Sequence, residues 1–311
     1  MKHSEIDIVY LWVDSSCQKW LDKKSNYIGN NLSQMIERYK SNDELRYSLR
    51  SVEMFAPWIK NIFIVTDDQK PEWLDITHPK IHLIDHKDIM PMDILPCFNS
   101  NVLESNIHKI PGLSEMFLLA NDDTFLGKLV SPNDFFTEEG LPIIRMMHPL
   151  KRLKWHGLEH FKIKKTSLYY QFVNNATNLV KNKYGKLFFQ MPQHNIDAYL
   201  KSSFKRTVEV IFYDEFKTMS INKFRKNNDI QRIIHMYVAL AENKGLLRYV
   251  NAKESFSMII NNRANYAKLL KIKPLLFCLN DTEQATTEDR DYMKRFLEEY
   301  FPVKSQFEKQ N

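Results

Sequence analysis

Glycine is scarce in this chain, at 7 of 311 residues, which argues against a repetitive or disordered polymer. Cysteine is scarcer still. Cys17, Cys97 and Cys278 are odd in number, far apart and without C-x-x-C spacing, so neither a disulfide framework nor a zinc site is indicated, and a reducing compartment is the simpler expectation. Long apolar runs are missing too: none approaches the ~18 residues of a membrane span. The charged start, Met1 to Asp7, has no apolar signal core, which leads us to expect a protein made and kept in the cytoplasm. Neither sign of charge dominates, since 44 basic against 38 acidic residues leave +6. That mild excess suits an anionic substrate or a peripheral contact with the anionic inner membrane. It lacks the concentrated basic stripe of a nucleic-acid binder, so no nucleic-acid partner is expected.

What is present describes a globular protein: 43% hydrophobic and 13% aromatic residues, with enough length for one large α/β domain or a domain beside a helical lobe. The most informative stretch is Glu115-Met116-Phe117-Leu118-Leu119-Ala120-Asn121-Asp122-Asp123-Thr124-Phe125-Leu126-Gly127. An apolar run of strand length stops at two adjacent carboxylates. A strand covered on both faces delivers the residues that follow it to the carboxyl edge of the sheet, where open α/β folds bind ligands. Hard oxygen ligands there suit Mg²⁺ or Mn²⁺ together with substrate phosphates. The same residues also read as an Asp-rich turn.

Along the chain, Ile6–Val13, Asn61–Thr66 and Lys80–Asp85 read as further strands, each closed by polar residues, with Asp14 directly after the first. The segment Ser41–Phe55 opens on capping residues, places Leu45, Leu49 and Val52 on one face, and predicts a helix ending before Pro57. Arg46 and Arg50 share a face of it, where they either clamp phosphate oxygens or pair with acidic neighbours. Glu104–Ile110 predicts a short helix and Pro142–Met147 another strand. This alternation implies a mostly parallel sheet flanked by helices over residues 1–150. Residues 151–270 read as a helical acceptor lobe, with helices at Gln171–Lys183 and Asp229–Asn243. Its start, Lys151 to Tyr170 with Lys164 and Lys165, either meets a polyanionic acceptor or is a solvated surface. Residues 271–311 return to the core: Pro274–Asp281 repeats the apolar-strand-then-Asn-Asp theme, and a capping signature at Thr286–Asp289 starts a last helix that stops at Pro302.

Four blocks of this sequence resemble the Stealth family of sugar-1-phosphate transferases, which includes bacterial capsule polymerases and the lysosomal-enzyme N-acetylglucosamine-1-phosphotransferase. The first is Asp7–Asp14. The second runs from Asn42–Ser51 through Ala56-Pro57-Trp58, Asn61–Thr66 and Glu104-Ser105-Asn106-Ile107-His108 to Asn121-Asp122-Asp123. The third holds Pro192–Asp197 and Arg225–Asp229, and the fourth Leu279-Asn280-Asp281, Phe301-Pro302 and Ser305–Glu308. The family histidine beside a Met-Pro pair is Gln190 here, and its role passes to His194. The glycine that relatives usually carry after the first-block acidic residue is replaced by Ser15.

The resemblance implies a glycosyltransferase-A-like fold and a divalent cation. It also implies transfer of hexose-1-phosphate from a UDP-hexose or UDP-N-acetylhexosamine to a hydroxyl of an oligo- or polysaccharide acceptor, releasing UMP. Asp122, Asp123 and Asp281 are the expected metal ligands, and Asp123, His194 and Arg225 the catalytic set. His194 takes or orients the acceptor proton and Arg225 faces the phosphoryl oxygens. Asp14, Arg46, Arg50, Asn106, His108, Asn121 and Asp229 are expected substrate contacts, with Glu104 near the sugar. A metal-dependent glycosyltransferase releasing UDP, and a non-catalytic glycan-binding protein on a decayed enzyme fold, are the alternatives.

Overall fold

A computed structural model describes residues 5–28, 41–149 and 167–310. In chain order the strands are β1 (Ile6–Leu11), β2 (Ile62–Thr66), β3 (Ile81–Asp85), β4 (Met116–Asn121), β5 (Thr124–Leu126), β6 (Ile143–Met147), β7 (Met191–Pro192), β8 (Asp197–Leu200), β9 (Leu246–Tyr249), β10 (Ser255–Ile259) and β11 (Leu276–Asn280). The main sheet has the order β3-β2-β1-β4-β8. Its first four strands run parallel and β8 closes the edge antiparallel to β4.

The apolar composition of β1, β2 and β4 follows from burial on both faces. Val9, Phe63, Val65, Phe117 and Leu119 point into one core. Ile8, Tyr10, Ile62, Ile64, Leu118 and Ala120 point into another. Alternate residues of a strand serve opposite faces, so a strand with two dry faces has no polar phase. On the first face lie the helices Leu168–Tyr184 and Ile233–Ala241, through Val173, Ala176, Val180, Ile233 and Tyr237. On the second lies Glu44–Phe55, through Leu45, Leu49 and Val52 as its periodicity predicts. Fully buried Leu119 is typical of this core, where truncation of a leucine to alanine costs about 2–5 kcal/mol.

Strand order reverses direction at β1. The chain first builds outward to β2 and β3, then returns to place β4 on the other flank of β1. Connections leaving the two strands diverge, so a crevice opens beyond their carboxyl ends. Leu11 and Asn121 are register partners at that edge. The crevice therefore sits where the Asn121-Asp122-Asp123 motif emerges.

Two expected strands belong to smaller sheets. Ile143–Met147 pairs with β7 and β9, and Leu276–Asn280 lies between β10 and β5. β5 and β11 turn a corner where Gly127 is required, because a Cβ there would stand 2.3 Å from the Pro274 carbonyl oxygen. The C-terminal helix Thr287–Tyr300 starts at the capping box read from the sequence: the Asp289 carboxylate accepts from the Thr286 N–H at 2.9 Å and the Asp289 N–H donates to Thr286 Oγ1 at 3.2 Å. The start of Glu44–Phe55 differs from expectation. Asp43, at φ 64, makes no side-chain cap, and the Glu44 carboxylate instead accepts from the Asn42 N–H at 2.6 Å and from Asn42 Nδ2 at 2.7 Å. Among the described residues no helix is long and apolar enough to cross a membrane.

Candidate active site

A cavity of about 670 Å³ occupies the crevice, with Trp12, Glu104, Asn121, Asp122, Asp123, His194, Arg225, Arg232 and Asp281 on its wall. That volume is in the usual range for a small-molecule site. Asp122 and Asp123 form the turn between β4 and β5, and β11 fixes that turn from the far end of the chain. The Leu279 N–H donates to the Asp123 carbonyl at 3.1 Å, and the Cys278 thiol lies 3.4 Å from Asp123 Oδ2. Burial pushes the Cys278 pKa well up, so the group reaches Asp123 as S–H.

His194, between β7 and β8, brings Nε2 within 3.4 Å of Asp123 Oδ2 and 3.4 Å of Asn121 Nδ2. Burial alone would lower its pKa, but the Asp123 charge outweighs burial and holds it above the ordinary histidine value. The same pairing holds Asp123 below the usual carboxylate range, against burial. Its neighbours go the other way. Burial, followed by the charges of Glu44 and Asp123, raises Asp122 well above that range, and burial raises Glu44 to about 7. Three crowded acids that repel one another are an environment that a cation relieves.

A divalent ion fits this wall on one observation in particular. Asp123 Oδ1 is buried and has no hydrogen-bond partner. Beside it, ligand atoms of Asp123, His194 and Cys278 lie within 4.8 Å of one another. Asp281 reaches the cavity, but Arg290 holds its carboxylate through both oxygens at 2.7 and 3.1 Å, so it stands outside that group. Arg225 also reaches the cavity, with Nη2 donating to Ser100 Oγ at 2.5 Å.

Six residues expected to touch substrate do not line the cavity, and each has a visible structural occupation. The Asp14 carboxylate accepts from Ser16 N–H and Oγ at 2.8 and 2.7 Å, closing its own turn. Arg46 and Arg50 both bind Glu308, with Arg50 Nε at 2.7 Å. Asn106 Nδ2 donates to the Val102 carbonyl at 2.8 Å. His108 Nε2 meets Glu209 at 2.8 Å and its pKa is lowered by burial. Asp229 accepts from Asn99 and Asn222, each at 2.8 Å, tying two loops together. Lys164 and Lys165 lie outside the described residues.

Two wall residues escaped the sequence reading. Glu44 was absorbed into a helix start. Arg232 begins the apolar run Ile233–Ala241, and a lone cation at such a boundary signals a buried ion pair without naming its partners. Its Nη1 lies 3.2 Å from Glu104 Oε1 and its Nη2 3.5 Å from Asp197 Oδ2.

Two family models match the chain: Stealth protein CR2, conserved region 2, over residues 38–144, and Stealth protein CR4, conserved region 4, over residues 267–311. The capsular polysaccharide phosphotransferase fcs1 of Haemophilus influenzae is 34% identical over 310 residues, covering 94% of this chain and 81% of that protein. The chain belongs to the Stealth family. Other Stealth relatives are the receptor polysaccharide phosphotransferase WefC of Streptococcus gordonii, 33% identical over 98% of this chain and 99% of its own length, and the capsular polysaccharide phosphotransferase WcwK of Streptococcus pneumoniae, 32% identical over 99% and 100%. Among solved structures the chain is similar to the galactosyltransferase LgtC, at 12% identity, a TM-score of 0.47 and 95% coverage of each chain. The Stealth relatives are transferase enzymes by name, and this chain is a member of that enzyme family.

Proposed function

We propose that this protein transfers hexose-1-phosphate from a UDP-sugar to a hydroxyl of a glycan acceptor, forming a phosphodiester and releasing UMP, in the synthesis of a bacterial capsule or exopolysaccharide. The observation that carries the reading is His194 Nε2 placed 3.4 Å from Asp123 on the wall that Arg225 also reaches, in a chain alignable almost end to end with polysaccharide phosphotransferases.

In this reading the acceptor oxygen attacks the sugar-bearing phosphorus, the new oxygen–phosphorus bond forms, and the bond to the oxygen of UMP breaks. His194 takes the hydroxyl proton as that oxygen becomes nucleophilic. Arg225 offers paired donors, always charged, to the phosphoryl oxygens. Asp123, with Asp122 beside it, would hold Mg²⁺ or Mn²⁺, which supplies charge neutralisation on the diphosphate. The aromatic wall, including Trp12, Phe98 and Tyr170, excludes water that would compete with the acceptor. Residues 1–150 would carry the nucleotide sugar, 151–270 the acceptor and 271–311 the closing wall, in a cytoplasmic enzyme working beside the membrane where the glycan grows.

The test is phosphorus NMR of the protein with Mg²⁺, a panel of UDP-hexoses and an oligosaccharide acceptor from capsulated cells. UMP with a new phosphodiester resonance supports the reading. UDP without one makes the enzyme an ordinary glycosyltransferase.

A further inference from the structure

Arg232 is the least explained charge on the cavity wall. Beyond its two carboxylates, its Nη1 lies 3.3 Å from Asn121 Oδ1, and Asn121 Nδ2 in turn faces His194 Nε2 at 3.4 Å. We propose that Arg232 is a positioning residue for the transfer, acting through Asn121, whose amide it locks with the nitrogen end toward His194. This rests on the reaction proposed above.

The chemistry of the three groups gives the reason. A guanidinium donates and never accepts, so the end of the amide that faces Arg232 must be its oxygen. The other end is then an N–H, which donates to a ring nitrogen carrying a lone pair. Asp123 stands at the same 3.4 Å from Nε2 and can only accept. One flank of the ring thus suits Nε2 without a proton and the other suits it with one, and His194 has a partner before and after it takes the acceptor's proton. A reversed amide would put an oxygen there instead. Both flanks would then be acceptors, which favours a hydrogen bonded to Nε2 at rest. A ring nitrogen already bonded to hydrogen cannot take the acceptor's proton, whereas an amide N–H can yield its place to the incoming hydroxyl.

Arg232 is well placed to prevent that reversal. It is 7% exposed, and its fork is held on Glu104 and Asp197, which come from a helix and from β8. Neutralising those carboxylates alone would not need contact with Asn121. Lysine could serve them as a point charge but lacks the rigid fork whose two nitrogens reach separate partners.

The experiment is a double-mutant cycle of Arg232→Lys and Asn121→Leu, measuring kcat and donor KM by phosphodiester formation, with a thermal melt for each variant. Because Arg232 acts through Asn121, each single change should lower kcat at least ten-fold with donor KM within two-fold, and the double variant should be no slower than the slower single. Nuclear Overhauser contacts from the Asn121 amide protons to the His194 ring should be present in the native protein and lost in Arg232→Lys. Additive kcat losses, a KM rise at constant kcat, or retained amide-to-ring contacts would overturn the proposal. Should Arg232→Lys not fold, Asn121→Leu, which leaves the ion pairs intact, decides alone: native kcat in it overturns the role. Release of UDP by the native enzyme would defeat the reaction assignment, whereas the ring contacts report the amide's orientation without turnover.

Discussion

Replacing Glu308 by glutamine tests whether Arg46 and Arg50 belong to the architecture or to the substrate. The Glu308 carboxylate is 2% exposed. It accepts from Arg50 Nε at 2.7 Å and Nη2 at 2.9 Å, from Arg46 Nε, and from the Ser305 N–H at 2.9 Å. Burial would raise its pKa, but the hydrogen bonds from Arg50, Ser305 and Arg46 hold it down to about 2 from an ordinary 4.5. A displacement of that size is worth about 3 kcal/mol at neutral pH. Solvent at the exposed flank of Arg46 screens part of it, which leaves about 2 kcal/mol. Arg50, which also donates to the Phe301 carbonyl at 2.7 Å, would be left buried beside a neutral amide. Urea unfolding should therefore show a lower midpoint at unchanged slope. The sign with pH follows from a depressed carboxylate: the native advantage is complete above about 4.5 and is lost as pH falls toward 2, so the two proteins converge in acid. Donor KM should not change in Glu308→Gln or in Arg46→Ala. An unaltered midpoint together with a raised donor KM would refute this reasoning and return both arginines to the substrate.

Asp123→Ala removes the carboxylate whose second oxygen is unpartnered; Mn²⁺ binding followed by electron paramagnetic resonance should be lost, and activity should fall about a thousand-fold or more. Retained Mn²⁺ affinity would assign the ion elsewhere. Gly127→Ala forces a Cβ against the Pro274 carbonyl, and the strain, about 1–3 kcal/mol, should lower the thermal midpoint while leaving donor KM intact. Thr286→Ala deletes the helix cap and should cost about 1 kcal/mol by urea titration, with Thr286→Ser restoring it.

The main sheet was legible because β1, β2 and β4 are buried on both faces, which leaves short apolar runs closed by polar residues. Which sheet each strand joins was not legible. Ile143–Met147 and Leu276–Asn280 look like further core strands, and an apolar run does not name its partner. The same limit applies to charge. Arg46 pairs with a residue 262 positions away, so its spacing from Arg50 was visible while its carboxylate was not. The motif at Asn121-Asp122-Asp123 was informative because abrupt polarity after a dry strand has few structural reasons. His108 and Asp229 had the composition of a site but serve as internal struts, since a buried polar network uses the same residue types. Arg232 showed only as a cation at the edge of an apolar run, because its meaning depends on Asn121, which only the fold places beside it.

The antiparallel pairing of β5 with β11 has a consequence for how the enzyme comes into being. Asp123 leaves the ribosome 155 residues ahead of the Cys278 that steadies it, and Arg46 waits longer still for Glu308. A nascent chain therefore carries the carboxylates of the site before it carries the strand that aims them.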